Sequence, residues 1–292
     1  MKRIEFKASS DTLIGNLFQP DGDTRGAAVI TGPLTSVKEQ APGAYAAALA
    51  KNGIATLAFD HRYFGESEGT PRQYENPDQK IADIHAAVAK LQREVPGMPV
   101  FAVGVCAGGG YMAGAVAQIP DIKAFAGIAG FYHDVAQSKE WMGDGFDAAI
   151  ERGRKAREAF ESSGEAETIP AVAPDGERAM PMEEAFEFYG TARGGEATYP
   201  NYKNEYAVMS QEQVTAYDAQ TRAQKITVPT LLVHSENALS PMLARRLYDN
   251  LAGPKDMEWV TSKGQIGFYD DPAIIEPVAI RVSDFFVGSV NL

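Results

Sequence analysis

The sequence predicts an α/β protein with a mostly parallel central sheet, helices on both faces of that sheet and an inserted, mainly helical cap. Three observations support this fold class. Short apolar runs alternate with amphipathic segments over residues 1–132 and again over 226–292, which is typical of parallel sheets covered on both faces. Residues 133–225 show no clear strand pattern but contain many aromatic side chains. A cysteine flanked by glycines joins one apolar run to the helix that follows it.

The first part of the chain opens with two strands joined by a short turn. Residues 4–8 alternate apolar and polar side chains, residues 9–11 favour a turn, and residues 12–18 again favour a strand. This pattern predicts an antiparallel hairpin at a sheet edge. The next predicted elements are a strand over 27–30, a helix over 39–51 closed by Asn52-Gly53, a strand over 54–59, a helix over 77–92, and strands over 100–105 and 122–128.

The regular alternation stops after residue 132 and resumes near residue 226. A disordered linker would be poor in aromatic residues, so the aromatic-rich stretch 133–225 is predicted to be an ordered cap. The predicted domains are therefore a first core part over 1–132, the cap over 133–225 and a second core part over 226–292. The last part contains predicted strands over 228–233 and 257–260 and predicted helices over 241–251 and 272–287.

Composition excludes several classes of function. The formal net charge of −12 argues against a nucleic-acid or anionic-membrane partner. The single cysteine excludes an internal disulfide and a cysteine-based zinc site. No segment has the apolar core of a signal peptide, and none approaches the roughly 18 apolar residues of a membrane span, so we expect a soluble cytoplasmic protein. No metal, phosphate or dinucleotide motif is present, so we expect no cofactor; a homodimer is compatible on general grounds only.

The segment Gly104-Val105-Cys106-Ala107-Gly108 predicts a nucleophile elbow, a sharp turn between a strand and a helix that exposes one reactive side chain. Glycines two residues before and after the nucleophile let the strand and helix backbones approach closely. The N-terminus of the following helix offers free N–H groups and a positive dipole end, which favour a thiolate. The alternative is that Cys106 is a small core residue, and the flanking glycines argue against it.

Five segments share the pattern of a known family: residues 32–40, 60–69, 104–108, 232–236 and 264–270. Together they resemble the α/β-hydrolase superfamily, and more narrowly its dienelactone-hydrolase-like and xylan-esterase-like bacterial branch, which uses cysteine at the elbow. The resemblance covers nearly the whole chain. It implies the α/β-hydrolase fold and attack by Cys106 on the carbonyl carbon of a small substrate.

An oxyanion hole should accompany the elbow. The N–H group of Ala107, directly after the nucleophile, is one expected donor. The second donor should come from the loop after the third strand, where Pro33 has no N–H group, so Leu34 is the expected residue.

The acid and the base of the expected catalytic triad are harder to assign than the oxyanion hole. The resemblance implies a carboxylate after the strand that ends near residue 234, where Glu236 is available; the alternative is a solvated loop glutamate. It also implies a histidine in the loop 261–266, where Gln265 stands instead, and glutamine cannot take a proton at neutral pH.

The missing base directs attention to the other histidines. His133 follows the strand after the elbow strand and could reach Cys106 from the side, or it could only anchor the cap. His234 ends another strand at the same edge and is expected to be buried and hydrogen-bonded. We expect Gln265, Tyr132 and His234 to face the substrate, and we assign His61 and His85 structural roles.

The sequence therefore predicts a Cys-dependent hydrolase or acyl transferase that acts on a small ester, lactone or thioester through an acyl-enzyme. Cys106, His133 and Glu236 are the expected catalytic residues. Two alternatives stay open because Gln265 replaces the usual base. One is a catalytically silent ligand-binding protein, and the other is a lyase or isomerase on the same scaffold.

Overall fold

The structure is a computed structural model that describes residues 1–290, and an eight-stranded sheet lies at its centre. Numbered in chain order within these residues, the strands are β1 (Lys2–Ala8), β2 (Asp11–Phe18), β3 (Gly26–Thr31), β4 (Ile54–Phe59), β5 (Val100–Val105), β6 (Ile122–Ile128), β7 (Thr168–Ile169), β8 (Tyr206–Ala207), β9 (Thr230–His234) and β10 (Lys255–Trp259).

The strand order in the sheet is β1-β2-β4-β3-β5-β6-β9-β10. β1 and β2 form an antiparallel hairpin, β2 pairs antiparallel with β4, and the remaining neighbours are parallel. The predicted edge hairpin and the predicted mostly parallel sheet are confirmed. Because parallel strands end at the same edge, the loops after β3, β5, β6 and β9 meet on one side of the molecule.

Helices cover both faces of the sheet, as expected for an α/β protein. α1 packs against α10 on one face, and α2 packs against α3 on the other; every residue of β3, β4 and β5 is buried between them. The helices are α1 (Ala41–Lys51), α2 (Pro77–Glu94), α3 (Ala107–Val116), α4 (Val135–Met142), α5 (Gly145–Ser163), α6 (Glu183–Tyr189), α7 (Ser210–Ala216), α8 (Pro241–Asn250), α9 (Gly267–Asp270) and α10 (Pro272–Val290), with a 3-10 helix at Gln220–Lys225.

Most predicted elements are present with small changes at their ends. The helix predicted to start at residue 39 begins at Ala41, with Pro42 in its first turn, where a missing N–H group costs no hydrogen bond. The last helix continues to Val290, three residues beyond the prediction. The short helix α9 was not predicted, because four residues are too few for an apolar period to be visible.

The segment between β6 and β9 contains helices α4 to α7 and one strand pair that the sequence did not predict, the two-residue strands β7 and β8. Its aromatic side chains are packed: Phe188, Tyr189 and Tyr202 are buried, and the rings of Phe188 and Tyr189 contact Tyr269 of the sheet-bearing part. Such burial explains why an irregular segment is rich in aromatic residues. Over residues 1–290 no helix is both long enough and apolar enough to cross a membrane.

Candidate active site

Cys106 lies at a sharp turn between the end of β5 and the start of α3, and its backbone is strained. Its φ is 54° and its ψ is −126°, in a region that residues with a side chain rarely adopt. A Cβ atom at Gly104 would lie 2.5 Å from the carbonyl oxygen of Gly108, and one at Gly108 would lie 2.6 Å from that of Gly32. The two glycines are therefore required by the close approach of the backbones, and the turn has the geometry of the predicted elbow.

Four groups lie close enough to the Cys106 thiol to lower its pKa. They are the backbone N–H groups of Leu34 and Ala107, the hydroxyl of Tyr269 and the side-chain amide of Gln265. The two backbone donors are those expected for an oxyanion hole, so the structure brings the predicted donors and the sulfur together. Tyr269 is a site residue that the sequence analysis missed.

The thiol of Cys106 is buried, with 7% of the residue exposed. Burial raises the pKa of this thiol, and the four hydrogen-bond donors lower it by less, so the net shift is upward. The loss of solvation on burial thus outweighs the stabilisation of a thiolate that was expected from the helix N-terminus. The resting site holds a protonated thiol at neutral pH.

A cavity of about 390 Å³ opens beside the sulfur. Of the predicted site residues, Leu34, Cys106, Ala107, His133 and Gln265 line it. The cavity extends beneath the cap, because side chains of α4, α6, α7 and the loop before α6 also line it. Its size lies within the range of small-molecule binding sites.

Gln265 occupies the position where a base was expected, and both the oxygen and the nitrogen of its side-chain amide are hydrogen-bonded. Its Oε1 accepts a hydrogen bond from the N–H of Leu239 at 2.9 Å, and its Nε2 donates to the carbonyl oxygen of Ala129 at 2.9 Å. The same nitrogen lies 3.3 Å from the hydroxyl of Tyr269. Gln265 and Tyr269 are four residues apart around α9, a spacing that places two side chains on the same side of a helical turn. This spacing is the sequence feature that could have indicated Tyr269 as a site residue.

His133 lines the cavity but is not among the groups that shift the pKa of the Cys106 thiol. Its ring is buried against the rings of Tyr111, Phe131 and Tyr217. Burial, with a smaller contribution from the positive charge of Lys80, lowers the pKa of His133 to about 3. This imidazole stays neutral at physiological pH and is a weak base. Its low basicity and its position in the cavity wall favour the alternative stated above, that His133 anchors the cap and does not act as the catalytic base.

Glu236 does not fit the expected acid role. Its side chain is exposed, it pairs with Arg245 of α8, and it is not part of the cavity. The expectation relied on Glu236 being close in sequence to the end of β9, but the arginine draws the carboxylate outward.

Tyr132 and His234 also lie away from the cavity, so the expectation that they face the substrate is not supported. Tyr132 is fully buried, with its ring packed on the backbone of Gly127 and Gly130. His234 is buried, as expected, and its Nδ1 lies 3.0 Å from the carbonyl oxygen of Ser235.

Glu184 of α6 is a second cavity residue that the sequence analysis missed. Its carboxylate accepts hydrogen bonds from the backbone N–H groups of Gln265 and Ile266, both at 3.3 Å. It therefore ties the cap to the loop that carries Gln265. Within residues 1–290 no cluster of three or more His, Cys, Asp or Glu side chains is arranged to hold a metal ion.

A sharp, strained strand–helix turn with the geometry of a nucleophile elbow, at the carboxyl edge of a mostly parallel sheet, is characteristic of the α/β-hydrolase class of folds. Comparison with known proteins agrees with this class. Residues 37–154 match the Hydrolase_4 family model, described as serine aminopeptidase, S33. The chain is 35% identical over 272 residues to the uncharacterized protein YcjY of Escherichia coli K12, an alignment that covers 89% of this chain and 87% of YcjY. The chain belongs to the α/β-hydrolase superfamily.

Two further relatives are similar over most of their length. The uncharacterized protein PA2218 of Pseudomonas aeruginosa is 31% identical over 276 residues, covering 89% of this chain and 73% of that protein. Its crystal structure superposes with a TM-score of 0.86, covering 99% of this chain and 93% of that one. The thiohydrolase AneE of Aspergillus aculeatus is 26% identical over 257 residues, covering 83% of this chain and 80% of that protein.

Proposed function

We propose that this protein forms an acyl-enzyme on Cys106 and acts on a small ester, lactone or thioester with an apolar acyl group. One observation carries the proposal: Cys106 lies at the wall of an apolar cavity that Leu34 and Ala107 also line, and the backbone N–H groups of these two residues lie close enough to lower the pKa of its thiol. Two such donors suit the oxygen of a tetrahedral intermediate. The narrower likeness to cysteine-dependent dienelactone-hydrolase-like and xylan-esterase-like enzymes is part of this proposal.

The first chemical step follows from this geometry. The sulfur of Cys106 bonds to the carbonyl carbon, and the π electron pair of the carbonyl moves to its oxygen, which accepts hydrogen bonds from Leu34 and Ala107. The bond to the leaving alcohol or thiol then breaks, and the thiol proton of Cys106 ends on that leaving group. The products are a thioester on Cys106 and a neutral leaving group. The hydroxyl of Tyr269 lies close enough to lower the pKa of the Cys106 thiol, and in this proposal it passes the proton to the leaving group.

The choice between ester and thioester is guided by one relative. AneE is named as a thiohydrolase. A thiolate leaves readily and needs little help from an acid. We therefore place thioesters beside esters and lactones as candidate substrates of this chain.

The second chemical step favours acyl transfer as a second candidate function. Hydrolysis of the acyl-enzyme requires water to lose a proton, and the position of the expected base holds Gln265, whose amide cannot accept one. A thiol or amine acceptor is a better nucleophile than water and depends less on a base. The site is thus better suited to acyl transfer than to fast hydrolysis.

The cap supplies the acyl pocket in this proposal. Residues 133–225 contribute Trp141, Met180 and Met182 to the cavity wall, and the sheet-bearing part contributes the reacting groups. The two alternatives, a silent binding protein and a lyase or isomerase, form no covalent acyl adduct, so one measurement separates them from the proposed enzyme.

The test is incubation with p-nitrophenyl butanoate and with a butanoyl thioester, followed by mass spectrometry of the intact protein. We expect one butanoyl group on the wild-type chain and none on Cys106→Ala. 2-Mercaptoethanol supplies a thiol acceptor for the acyl group, so adding it should shorten the lifetime of the adduct. Adding a water-soluble salt, which supplies no such acceptor, should shorten the lifetime less. Equal ester turnover by both proteins, with no adduct on either, would overturn the proposal.

A further inference from the structure

The cavity beside Cys106 is apolar, and the one charged side chain in its wall is negative. Glu184 is that side chain, and no lysine or arginine of residues 1–290 lines the cavity. The apolar part of the wall includes Phe131, Trp141, Met180, Met182, Leu239 and Ile266.

From this wall we infer the charge class of the substrate: the site accepts an uncharged acyl group and discriminates against one that carries a carboxylate. The inference rests on the proposed acyl-enzyme function. A carboxylate entering this cavity would lose hydration without meeting a cation, which is strongly unfavourable. It would also meet the negative charge of Glu184, which is half-buried, so the two like charges repel more than they would in bulk water.

Glu184 is held in place as a specificity-determining residue. Its carboxylate accepts the N–H groups of Gln265 and Ile266, both at 3.3 Å, so it cannot swing into solvent without leaving two donors unpaired. These neutral donors give each carboxylate oxygen one hydrogen-bond partner but do not cancel the charge of Glu184. The neighbouring Glu183 is exposed and does not line the cavity, which makes it a matched control.

The test compares three p-nitrophenyl esters of similar length: pentanoate, the glutarate half-ester and the glutarate half-ester capped as its methyl ester. We expect kcat/KM for the free glutarate to be about 100-fold below that for pentanoate, with the methyl-capped ester close to pentanoate. Glu184→Gln should narrow this ratio by about tenfold, because the charge is lost. Glutamine keeps one acceptor oxygen and leaves one of the two backbone N–H groups without a partner, a cost that acts on both esters and cancels in the ratio. Glu183→Gln should leave the ratio unchanged.

The outcomes separate this inference from the proposed function. Equal kcat/KM for free glutarate and pentanoate would overturn the charge selection while the acyl-enzyme stands. An unchanged ratio in Glu184→Gln would remove Glu184 from the explanation. Absence of an adduct with all three esters would overturn the proposed function itself.

A different observation concerns a buried ion pair behind the oxyanion loop. Glu75 and Lys80 are almost completely buried, and Glu75 Oε1 lies 2.6 Å from Lys80 Nζ. Neither residue lines the cavity, and the proposed reaction does not use them. The ammonium group is further held over the rings of Phe64 and Tyr111, at 4.6 Å and 5.3 Å from their centroids.

The second oxygen of Glu75 reaches the oxyanion loop. Glu75 Oε2 accepts a hydrogen bond from the N–H of Thr35 at 3.2 Å. Thr35 has a φ of 62°, a left-handed conformation that a threonine adopts only when its surroundings hold it there. Thr35 directly follows Leu34, whose own N–H group lies close enough to lower the pKa of the Cys106 thiol.

From these contacts we infer that Glu75 and Lys80 are positioning residues for the oxyanion hole. Glu75 fixes the strained peptide at Thr35 and thereby the direction of the N–H group of Leu34. Lys80 compensates the buried charge of Glu75 and keeps its carboxylate facing the loop. This second inference also rests on the proposed function.

Its test separates acylation, which forms an oxyanion, from alkylation of Cys106 by iodoacetamide, which forms none. In Glu75→Gln we expect acylation by p-nitrophenyl butanoate to slow by about 10- to 100-fold and alkylation by about threefold or less. The double variant Glu75→Gln with Lys80→Met removes the unpaired buried ammonium and should recover thermal stability without recovering acylation.

Asp83→Asn is the matched control, because Asp83 is in a buried ion pair with Arg62 outside the cavity wall, at 2.7 Å. It should lower the melting temperature as Glu75→Gln does, yet leave the ratio of acylation to alkylation at the wild-type value. A Glu75→Gln protein that keeps this ratio would overturn the positioning role. A wild-type chain that alkylates but forms no acyl adduct would instead overturn the proposed function.

Discussion

The hydroxyl of Tyr269 lies beside the thiol of Cys106 and lowers the pKa of that thiol, although Tyr269 belongs to α9 and Cys106 to the turn between β5 and α3. Burial, with smaller contributions from Cys106 and Tyr189, raises the pKa of Tyr269 well above its usual value. The phenol therefore stays protonated and acts as a donor toward sulfur. Tyr269 is thus the second polar side chain beside the thiol of Cys106, together with Gln265, which stands at the position where a base was expected.

Tyr269→Phe should slow acylation of Cys106 by about tenfold, because a hydrogen bond to a charged or partly charged sulfur is lost. Stopped-flow release of p-nitrophenol measures this rate. Tyr189→Phe is the matched control, since Tyr189 also lines the cavity but its hydroxyl has no hydrogen-bond partner within residues 1–290. Equal rates in the two variants would show that the Tyr269 hydroxyl contributes nothing to the chemistry.

The reactivity of Cys106 should rise at a higher pH than the reactivity of an ordinary thiol does. Burial raises the pKa of this thiol, so less thiolate is present at neutral pH than for free cysteine, whose pKa is about 8.5. The rate of iodoacetamide alkylation, followed by intact mass between pH 6 and 10 beside glutathione, should therefore have its midpoint above that of glutathione. A midpoint below that of glutathione would contradict the dominance of burial over the four donors.

Gln265→His should shorten the life of the acyl-enzyme. The new imidazole would stand beside Tyr269 and the sulfur, where it can take a proton from water, and we expect deacylation to accelerate by about tenfold. The measurement is decay of the butanoyl adduct by mass spectrometry after substrate is removed. Gln265→Leu is the control of similar size without a proton acceptor. Identical adduct lifetimes for the histidine and leucine variants would refute the idea that a missing base limits turnover.

Local pattern was enough to predict the sheet and the elbow. The central strands are continuous apolar runs, and the glycines around Cys106 follow from backbone contacts within a few residues. Leu34 was predicted as the second amide because Pro33 cannot donate. The sequence could not show the contacts of Glu184 and Glu75. Glu184 reaches the site from the cap helix α6, and Glu75 lies before α2, 40 residues from Thr35 in the chain. Glu236 shows the converse. It lies close in sequence to the end of β9, but its side chain pairs with Arg245 at the surface, because closeness in sequence does not fix where a side chain points.

His133 should make the fold sensitive to acid. Its pKa is lowered to about 3 in the folded chain, whereas an unfolded histidine titrates near its ordinary value of about 6.5. As the pH falls below about 6.5 the unfolded state takes up a proton that the folded state refuses, which costs about 2 kcal/mol of unfolding free energy at pH 5.

His133→Asn should remove this part of the acid sensitivity. Urea unfolding at pH 7.5 and pH 5 gives the change in unfolding free energy for each protein, and the variant should lose less between the two values. Any constant cost of the substitution cancels in this difference. An equal loss in both proteins would mean that His133 takes up its proton in the folded state as readily as in the unfolded state.

Gly104 should tolerate no side chain, because a Cβ atom there would lie 2.5 Å from the carbonyl oxygen of Gly108 and 2.6 Å from the Cα of Gly109. Backbone atoms on both sides of the elbow would have to move, so we expect Gly104→Ala to lower the unfolding free energy by about 3 kcal/mol or more. Acylation should fall as well, since the same shift moves the N–H group of Ala107 away from the sulfur.

Gly288 in α10 provides the matched control for Gly104→Ala, because a Cβ atom there would have no neighbouring heavy atom within 4 Å. Gly288→Ala should leave acylation unchanged and keep the unfolding free energy equal or raise it by about 0.5 kcal/mol, as alanine favours a helix. Urea unfolding and the acylation rate are measured on both variants. If Gly104→Ala matched Gly288→Ala in both, the close approach of β5 and α3 would not be what holds Cys106 in its strained conformation.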